Sequence, residues 1–158
     1  MGAFLVVIVA FVAMEPVTYA IHRWVMHGPG RAIHLSHHRP RAGRFEANDL
    51  YPTAFAAVVG VGLVVGFNVD GWGVLVPIGV GVTSYGAVYG AVHDGYIHGR
   101  LALLARRGGP GWARLAAAHR LHHRYGGEPY GMLFPVVPAS LRAQAATPSR
   151  DPARGGPS

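Results

Sequence analysis

The chain has 158 residues, room for one domain, and 51% of them are hydrophobic against 13% charged, a balance that argues against a soluble fold of this size. It contains no cysteine, which excludes disulfides, iron–sulfur clusters, thiolate-ligated haem and Cys-type zinc sites and leaves histidine and carboxylate as the strong metal ligands. The 14 basic residues, all arginine, outnumber 7 acidic ones, an excess that fits either nucleic acid or an anionic membrane face.

The apolar runs decide for membrane. The first, 2–21, is about 20 residues long, enough at ~1.5 Å per residue to span a hydrocarbon core roughly 30 Å thick. No positive charge precedes it and no small-residue cleavage site leads into a soluble domain, so it reads as a retained span rather than a secretory signal. Runs at 51–69 and 72–92 are separated only by Asp70 and Gly71 and predict two further spans joined as a hairpin. Their glycines (Gly60, Gly62, Gly66, then Gly79, Gly81, Gly86, Gly90) suit close helix contact in lipid, and Gly62 with Gly66 matches GxxxG.

Three spans place 22–50 and 93–158 on one side, and every arginine falls there. The positive-inside rule makes that side cytoplasmic and the N-terminus external. Within 101–124, short apolar clusters alternate with arginines around Gly108–Gly109–Pro110–Gly111, after which Trp112, Leu115, His119 and His122 recur at the spacing of an interfacial helix. Residues 147–158 are rich in Pro, Gly, Ser and Arg and read as a disordered tail, leaving 1–146 as a single membrane-embedded domain. The expected fold is all-α: an integral membrane bundle of about three transmembrane helices, with interfacial helices carrying the histidines.

The ten histidines fall into four boxes, with none elsewhere: His22-x4-His27, His34-x2-His37-His38, His93-x4-His98 and His119-x2-His122-His123. The halves repeat one pattern, the first boxes offset by 71 residues (93 − 22) and the second by 85 (119 − 34). On a helix, positions i, i+3 and i+4 share an arc of about 100°, so the three imidazoles of each H-x2-HH box can converge. The H-x4-H rings stand roughly 140° apart on an ideal helix and can ligate together only if the helix ends there. Gly28–Pro29–Gly30 after His27 and Gly95 inside the second box make unwinding available. Each H-x4-H box sits at the cytoplasmic end of a span, so the boxes read as two copies of a five-histidine unit at one membrane depth. Ten imidazoles exceed the four to six positions of one ion and suit two ions with open sites. Neutral imidazole binds zinc, copper, iron or nickel, so ligand type leaves the metal open. The competing reading is a pH-sensing histidine surface.

The stretches HRWVMHG (22–28), HLSHHRPRAGRFEANDLY (34–51), VHDGYIHGR (92–100) and AHRLHH (118–123) resemble those of the bacterial β-carotene hydroxylases, within the fatty acid hydroxylase and sterol desaturase superfamily. The likeness extends more loosely over residues 5–137, and the segment RYGGEPYGMLFP (124–135) is shorter than the family pattern suggests. What the resemblance implies is a non-haem di-iron monooxygenase of the bacterial inner membrane. Its ten histidines would hold two iron ions, which zinc can replace in a purified sample. Dioxygen would be the cosubstrate and a ferredoxin-type protein the electron donor, with a carotenoid taken from the bilayer. The reaction implied is hydroxylation of β-ionone rings at carbon 3, from β-carotene through β-cryptoxanthin to zeaxanthin. Alternatives are a fatty acid or sterol hydroxylase or desaturase or a carotenoid ketolase of the same superfamily, and, in another class, a non-catalytic membrane metal-binding protein.

Several residues are candidates for supporting roles. Glu15 lies seven residues before His22, on the same helical face about 10 Å away, where it can hydrogen-bond a ligand histidine, relay protons, or stay neutral beside Tyr19. Asp94, next to His93, and with it Glu46 and Asp49, can orient imidazoles through their second nitrogens or ligate directly. The plainer reading of Glu46 and Asp49 is pairing with Arg41 or Arg44 at the headgroups. Tyr85 and Tyr89 form a stripe leading to His93, read as packing or as a substrate lining. Trp24, Trp72 and Trp112 fall at span ends, where an aromatic belt is expected. The basic stretches 39–44 and 100–114 face either anionic lipid or an acidic electron donor; without a recognised module, nucleic acid is set aside.

Overall fold

The computed structural model describes residues 2–39, 43, 45–101, 104 and 108–145. The described residues contain helices and no strands. Helix α1 (Gly2–Ala20) runs into a π-helical turn, Ile21–Met26, and a one-turn helix α2 (Arg31–His34) follows. A 3-10 turn, Ala47–Asp49, opens α3 (Leu50–Asn68), and α4 (Leu75–Gly90) again ends in a π-helical segment, Ala91–Ile97. Helices α5 (Pro110–Tyr125) and α6 (Ala139–Ala145) complete the described chain.

Three continuous helices, Gly2–Met26, Ala47–Asn68 and Leu75–Ile97, are long and apolar enough to cross a membrane. The middle helix of the bundle is α4, which packs on both α1 and α3. Glycine makes both contacts possible: a Cβ at Gly81 would collide with the Val7 carbonyl and Ala10 of α1, and one at Gly79 with Leu63 of α3. Gly66 meets Leu75 and Val76, whereas Gly60, Gly62, Gly86 and Gly90 face open space, so the expected GxxxG pair contributes one of its two members to the hairpin contact. The hairpin turns through Gly71, whose φ of +84° lies in the left-handed region open to glycine.

Burial is concentrated at the histidine end of the bundle. Helix α3 has no buried residue, and Phe4, Val58, Val61 and Phe67 are largely exposed, an apolar surface too extensive for water and suited to lipid. Among the described residues the buried polar set consists of eight histidines and Asn48. Beside them Val92, Ile97, Ala116 and Met132 form a small core that docks α5 onto the π-helical end of α4, with Trp112 edge-on to Tyr96 at 5.4 Å. Trp24 and Trp72 are exposed at span ends, whereas Trp112 is part of that core. The tail expected at 147–158 lies outside the described residues.

Candidate metal centre

The H-x4-H boxes are read by widening the helix, where unwinding had been expected. In both places the hydrogen bonding shifts from i→i−4 to i→i−5: the His27 N–H donates to the His22 carbonyl at 3.0 Å and the His98 N–H to the His93 carbonyl at 2.9 Å. A residue bonded to the one five positions earlier lies about one turn above it, so a π turn narrows the 140° divergence of an α-helix and brings both rings to one face. The paired rings come to 5.1 Å (His22–His27) and 4.6 Å (His93–His98) between centroids. The Gly28–Pro29–Gly30 turn then reverses the chain into α2, with the Tyr51 hydroxyl donating to the Gly30 carbonyl at 2.9 Å.

All ten histidines meet in one cluster, divided into two groups. Nitrogens of His22, His27, His34 and His122 lie within 4.8 Å of one another, as do those of His37, His93, His98 and His119. His38 and His123 complete the set, their Nε2 atoms 3.1 Å from His34 Nε2 and 2.8 Å from His119 Nε2, with the two rings stacked at 4.4 Å. The grouping does not follow the two five-histidine copies of the sequence, and each H-x2-HH box is shared between the groups. His37 crosses to the group built from the second half and His122 to the group built from the first. The exchange keeps the internal repeat: His22 corresponds to His93, His27 to His98, His34 to His119, His37 to His122 and His38 to His123.

The donor set fits metal. Five close Nε2–Nε2 approaches span 2.8–3.1 Å. Two nitrogens ~2.1 Å from a shared ion stand ~3.0 Å apart at right angles and ~3.4 Å apart at the tetrahedral angle, so these spacings suit an ion of high coordination number. The second ring nitrogens are held from outside: His22 Nδ1 by the Tyr130 carbonyl (2.9 Å), His34 Nδ1 by Asn48 Oδ1 (2.7 Å) and His122 Nδ1 by the Gly127 carbonyl (2.7 Å). His37 Nδ1 is held by Glu46 Oε2 (3.0 Å) and His93 Nδ1 by Asp94 Oδ1 (2.9 Å). With Nδ1–H donating outward, each Nε2 lone pair is left pointing into the cluster. His37 Nε2 is buried with no hydrogen-bond partner, a costly arrangement that a metal bond would relieve.

Of the acidic candidates, Glu46 and Asp94 touch histidines and Asp49 and Glu15 do not. Asp49 forms a reciprocal cap with Glu46 at the start of α3 and a two-pronged pair with Arg100 at 2.6 and 2.7 Å. Pairing of these acids with Arg41 or Arg44 lies outside the described residues. Glu15 turns away from His22. Its carboxylate accepts the Tyr85 hydroxyl (2.6 Å) and the backbone N–H groups of Met132 (2.9 Å), Leu133 (3.2 Å) and Phe134 (3.0 Å). Tyr19 bonds instead to Glu128 at 2.6 Å. Tyr85, 2% exposed and also bonded to Thr18, belongs to this clamp; Tyr89 packs on His93 at 5.1 Å.

Sequence reasoning did not single out Asn48, Tyr130, Gly127 or Arg100. Asn48 had a signal, as an amide inside the NDLY stretch, while Tyr130 and Gly127 act through backbone carbonyls that any residue supplies.

Burial holds His38 down to about 4 and His34 down to about 2, and pushes His27, His98, His119, His122 and His123 below the usual imidazole value as well. These rings are neutral, the ligating form, at physiological pH. A histidine whose pKa falls on folding costs nothing above its unfolded value near 6.5 and destabilises the fold as pH drops below it. Metal-free protein in detergent is therefore expected to hold its melting temperature from pH 8 to 7 and lose it progressively from about 6.5 toward 4. A flat melting temperature across that window would show that the rings titrate as if exposed.

Residues 7–139 match the family model for fatty acid hydroxylases. The chain is 41% identical to the β-carotene hydroxylase of Pseudescherichia vulneris over 97% of this chain and 91% of that protein. It is 39% identical to the β-carotene hydroxylase of Pantoea ananas over 96% and 87%, respectively. Against the chloroplastic β-carotene hydroxylase 1 of Capsicum annuum it is 38% identical over 79% of this chain and 41% of that longer protein. No solved structure matches the chain.

Proposed function

The chain belongs to the fatty acid hydroxylase family, and on that premise we propose that it hydroxylates carotenoids, converting β-carotene through β-cryptoxanthin to zeaxanthin at carbon 3 of each ring. The observation that carries the reading is the pair of histidine groups at the end of the membrane spans, in a chain 39–41% identical along nearly its whole length to bacterial proteins named for β-carotene hydroxylation. Replacing a C–H bond by C–OH with dioxygen consumes two electrons and two protons and releases one water. Two iron ions held by the ten histidines would supply the dioxygen chemistry, which no side chain here can perform alone. A ferredoxin-type protein would supply the electrons.

The protein contributes geometry. The π turns, Glu46, Asp94, Asn48 and the 127–130 carbonyls orient the imidazoles. The exposed apolar flanks of α1 and α3 let a hydrocarbon approach from the bilayer. We place the site on the cytoplasmic face, with the N-terminus outside, because every arginine lies on the histidine side of the spans. An open cavity of about 500 Å³ between α5 and the 135–142 segment carries Arg114 and Arg142, which suits the headgroup of an anionic lipid.

Expression in a β-carotene-accumulating host with a working ferredoxin system tests the substrate. Hydroxylated carotenoids, resolved by chromatography, are expected. Unchanged β-carotene beside an active control hydroxylase would overturn the assignment in favour of a fatty acid, sterol or ketolase activity of the superfamily. Absence of oxygen consumption with all of these substrates would leave a non-catalytic metal protein.

A further inference from the structure

The two histidine groups correspond residue for residue, yet their outer bonds differ in charge. In the group of His22, His27, His34 and His122 the second nitrogens described as bonded all donate to neutral oxygens: the carbonyls of Tyr130 and Gly127 and the amide of Asn48. In the group of His37, His93, His98 and His119 the corresponding bonds go to two carboxylates, Glu46 and Asp94. A carboxylate draws the ring proton toward itself and gives the imidazole anionic character, raising the basicity of the opposite nitrogen. A peptide or amide oxygen does so weakly, since bonds with an ionised partner are roughly twice as strong as neutral ones.

We propose that the two metal positions are unequal: the position of His37, His93, His98 and His119 binds its metal more tightly and fills first, because Glu46 and Asp94 strengthen its ligands. The inference rests on reading the histidines as a two-metal site. Glu46 is the stronger contributor. Its side chain is 11% exposed against 36% for Asp94, so its charge is less screened. The Arg100 guanidinium, bidentate on Asp49 at 2.6 and 2.7 Å, also stands 3.6 Å from Asp94 and offsets part of that carboxylate's effect.

The test is a titration of chelator-stripped protein in detergent with Co(II), read by its absorption and by competition with a chelator of known affinity. Two classes of one equivalent each are expected. His93→Ala removes the tighter class and His22→Ala the weaker. Glu46→Gln weakens the tighter class by about 10–100-fold, the usual cost of losing such a partner, and leaves the weaker class in place. Asn48→Asp, which puts a carboxylate behind His34, tightens the weaker class about tenfold or more, a gain that misfolding cannot imitate. Equal affinities at both positions, loss of the tighter class in His22→Ala, or no response to Glu46→Gln and Asn48→Asp would overturn the inequality. Fewer than two equivalents bound by the unmodified protein would instead overturn the two-metal reading itself.

Discussion

His37→Ala is expected to abolish hydroxylation and to empty the metal position that His93→Ala empties, although His37 stands three residues from His34 and 56 from His93 (93 − 37). The His37 ring is 4.7 Å from that of His93 and 4.3 Å from that of His98, whereas its Nδ1 is fixed by Glu46. Truncation therefore deletes one of the four convergent nitrogens of that group and takes the His37 donor from the partly buried Glu46 carboxylate, which keeps its cap to Asp49, a loss on both sides of the ring. Metal content should fall from two equivalents to one and product to background. His122→Ala is the mirror experiment, emptying the position shared with His22 and His27, whose rings lie 4.4 and 4.8 Å away. Metal analysis of the variants combined in pairs separates the crossed arrangement from an uncrossed one. His37→Ala with His93→Ala should retain one equivalent, and His37→Ala with His22→Ala should retain none. Retention of one equivalent in the second pair would sink the crossing.

That crossing is where sequence reasoning stopped. The membrane spans were legible because lipid requires long apolar runs, and α1, α3 and α4 lie within a few residues of them. The H-x4-H boxes carried a further clue: a five-residue interval is the hydrogen-bond interval of a π-helix, so the spacing that looked wrong for an α-helix is right for the structure adopted at Ile21–Met26 and Ala91–Ile97. The H-x2-HH spacing, in contrast, reports only that three rings share a face. Two ions can divide such a face, and α2 ends at His34, before His37 and His38. For His22, His34, His37, His93 and His122 the far nitrogen is held by a partner outside the cluster. Three of those partners are Asn48 and the carbonyls of Gly127 and Tyr130, and the carbonyls come from the 124–135 stretch, where the family likeness was weakest. Glu15 was legible as an intramembrane carboxylate with a purpose, but helical spacing pointed it along α1 toward His22, and nothing local announced four donors arriving from Tyr85 and from residues 132–134.

Glu15→Ala should therefore damage the centre without touching a ligand. The substitution strips acceptors from the Tyr85 hydroxyl and three backbone N–H groups, and Tyr85 and Met132 are 2% and 3% exposed, where water cannot substitute. The Tyr85 hydroxyl can turn to Thr18 Oγ1 at 2.8 Å, which leaves the Met132 N–H as the buried donor without a partner, at a cost of about 1–3 kcal/mol against the ~5–15 kcal/mol stability of an ordinary domain. The melting temperature in detergent should fall by several degrees or more. The released segment is also the one whose Tyr130 and Gly127 carbonyls orient His22 and His122, so the metal lost first should be the one those two hold. The other position is supported by Glu46 and Asp94 and should stay occupied. Glu128, bonded to the Tyr19 hydroxyl at 2.6 Å and to Arg23 at 2.7 Å, still tethers the near end of the segment, which makes the expected loss selective rather than complete. Glu15→Gln keeps one acceptor oxygen but turns an NH2 group toward donors, so it should fall between the alanine variant and the unmodified protein. Two equivalents of metal retained in Glu15→Ala at an unchanged melting temperature would show that the 127–134 segment holds its place without the carboxylate.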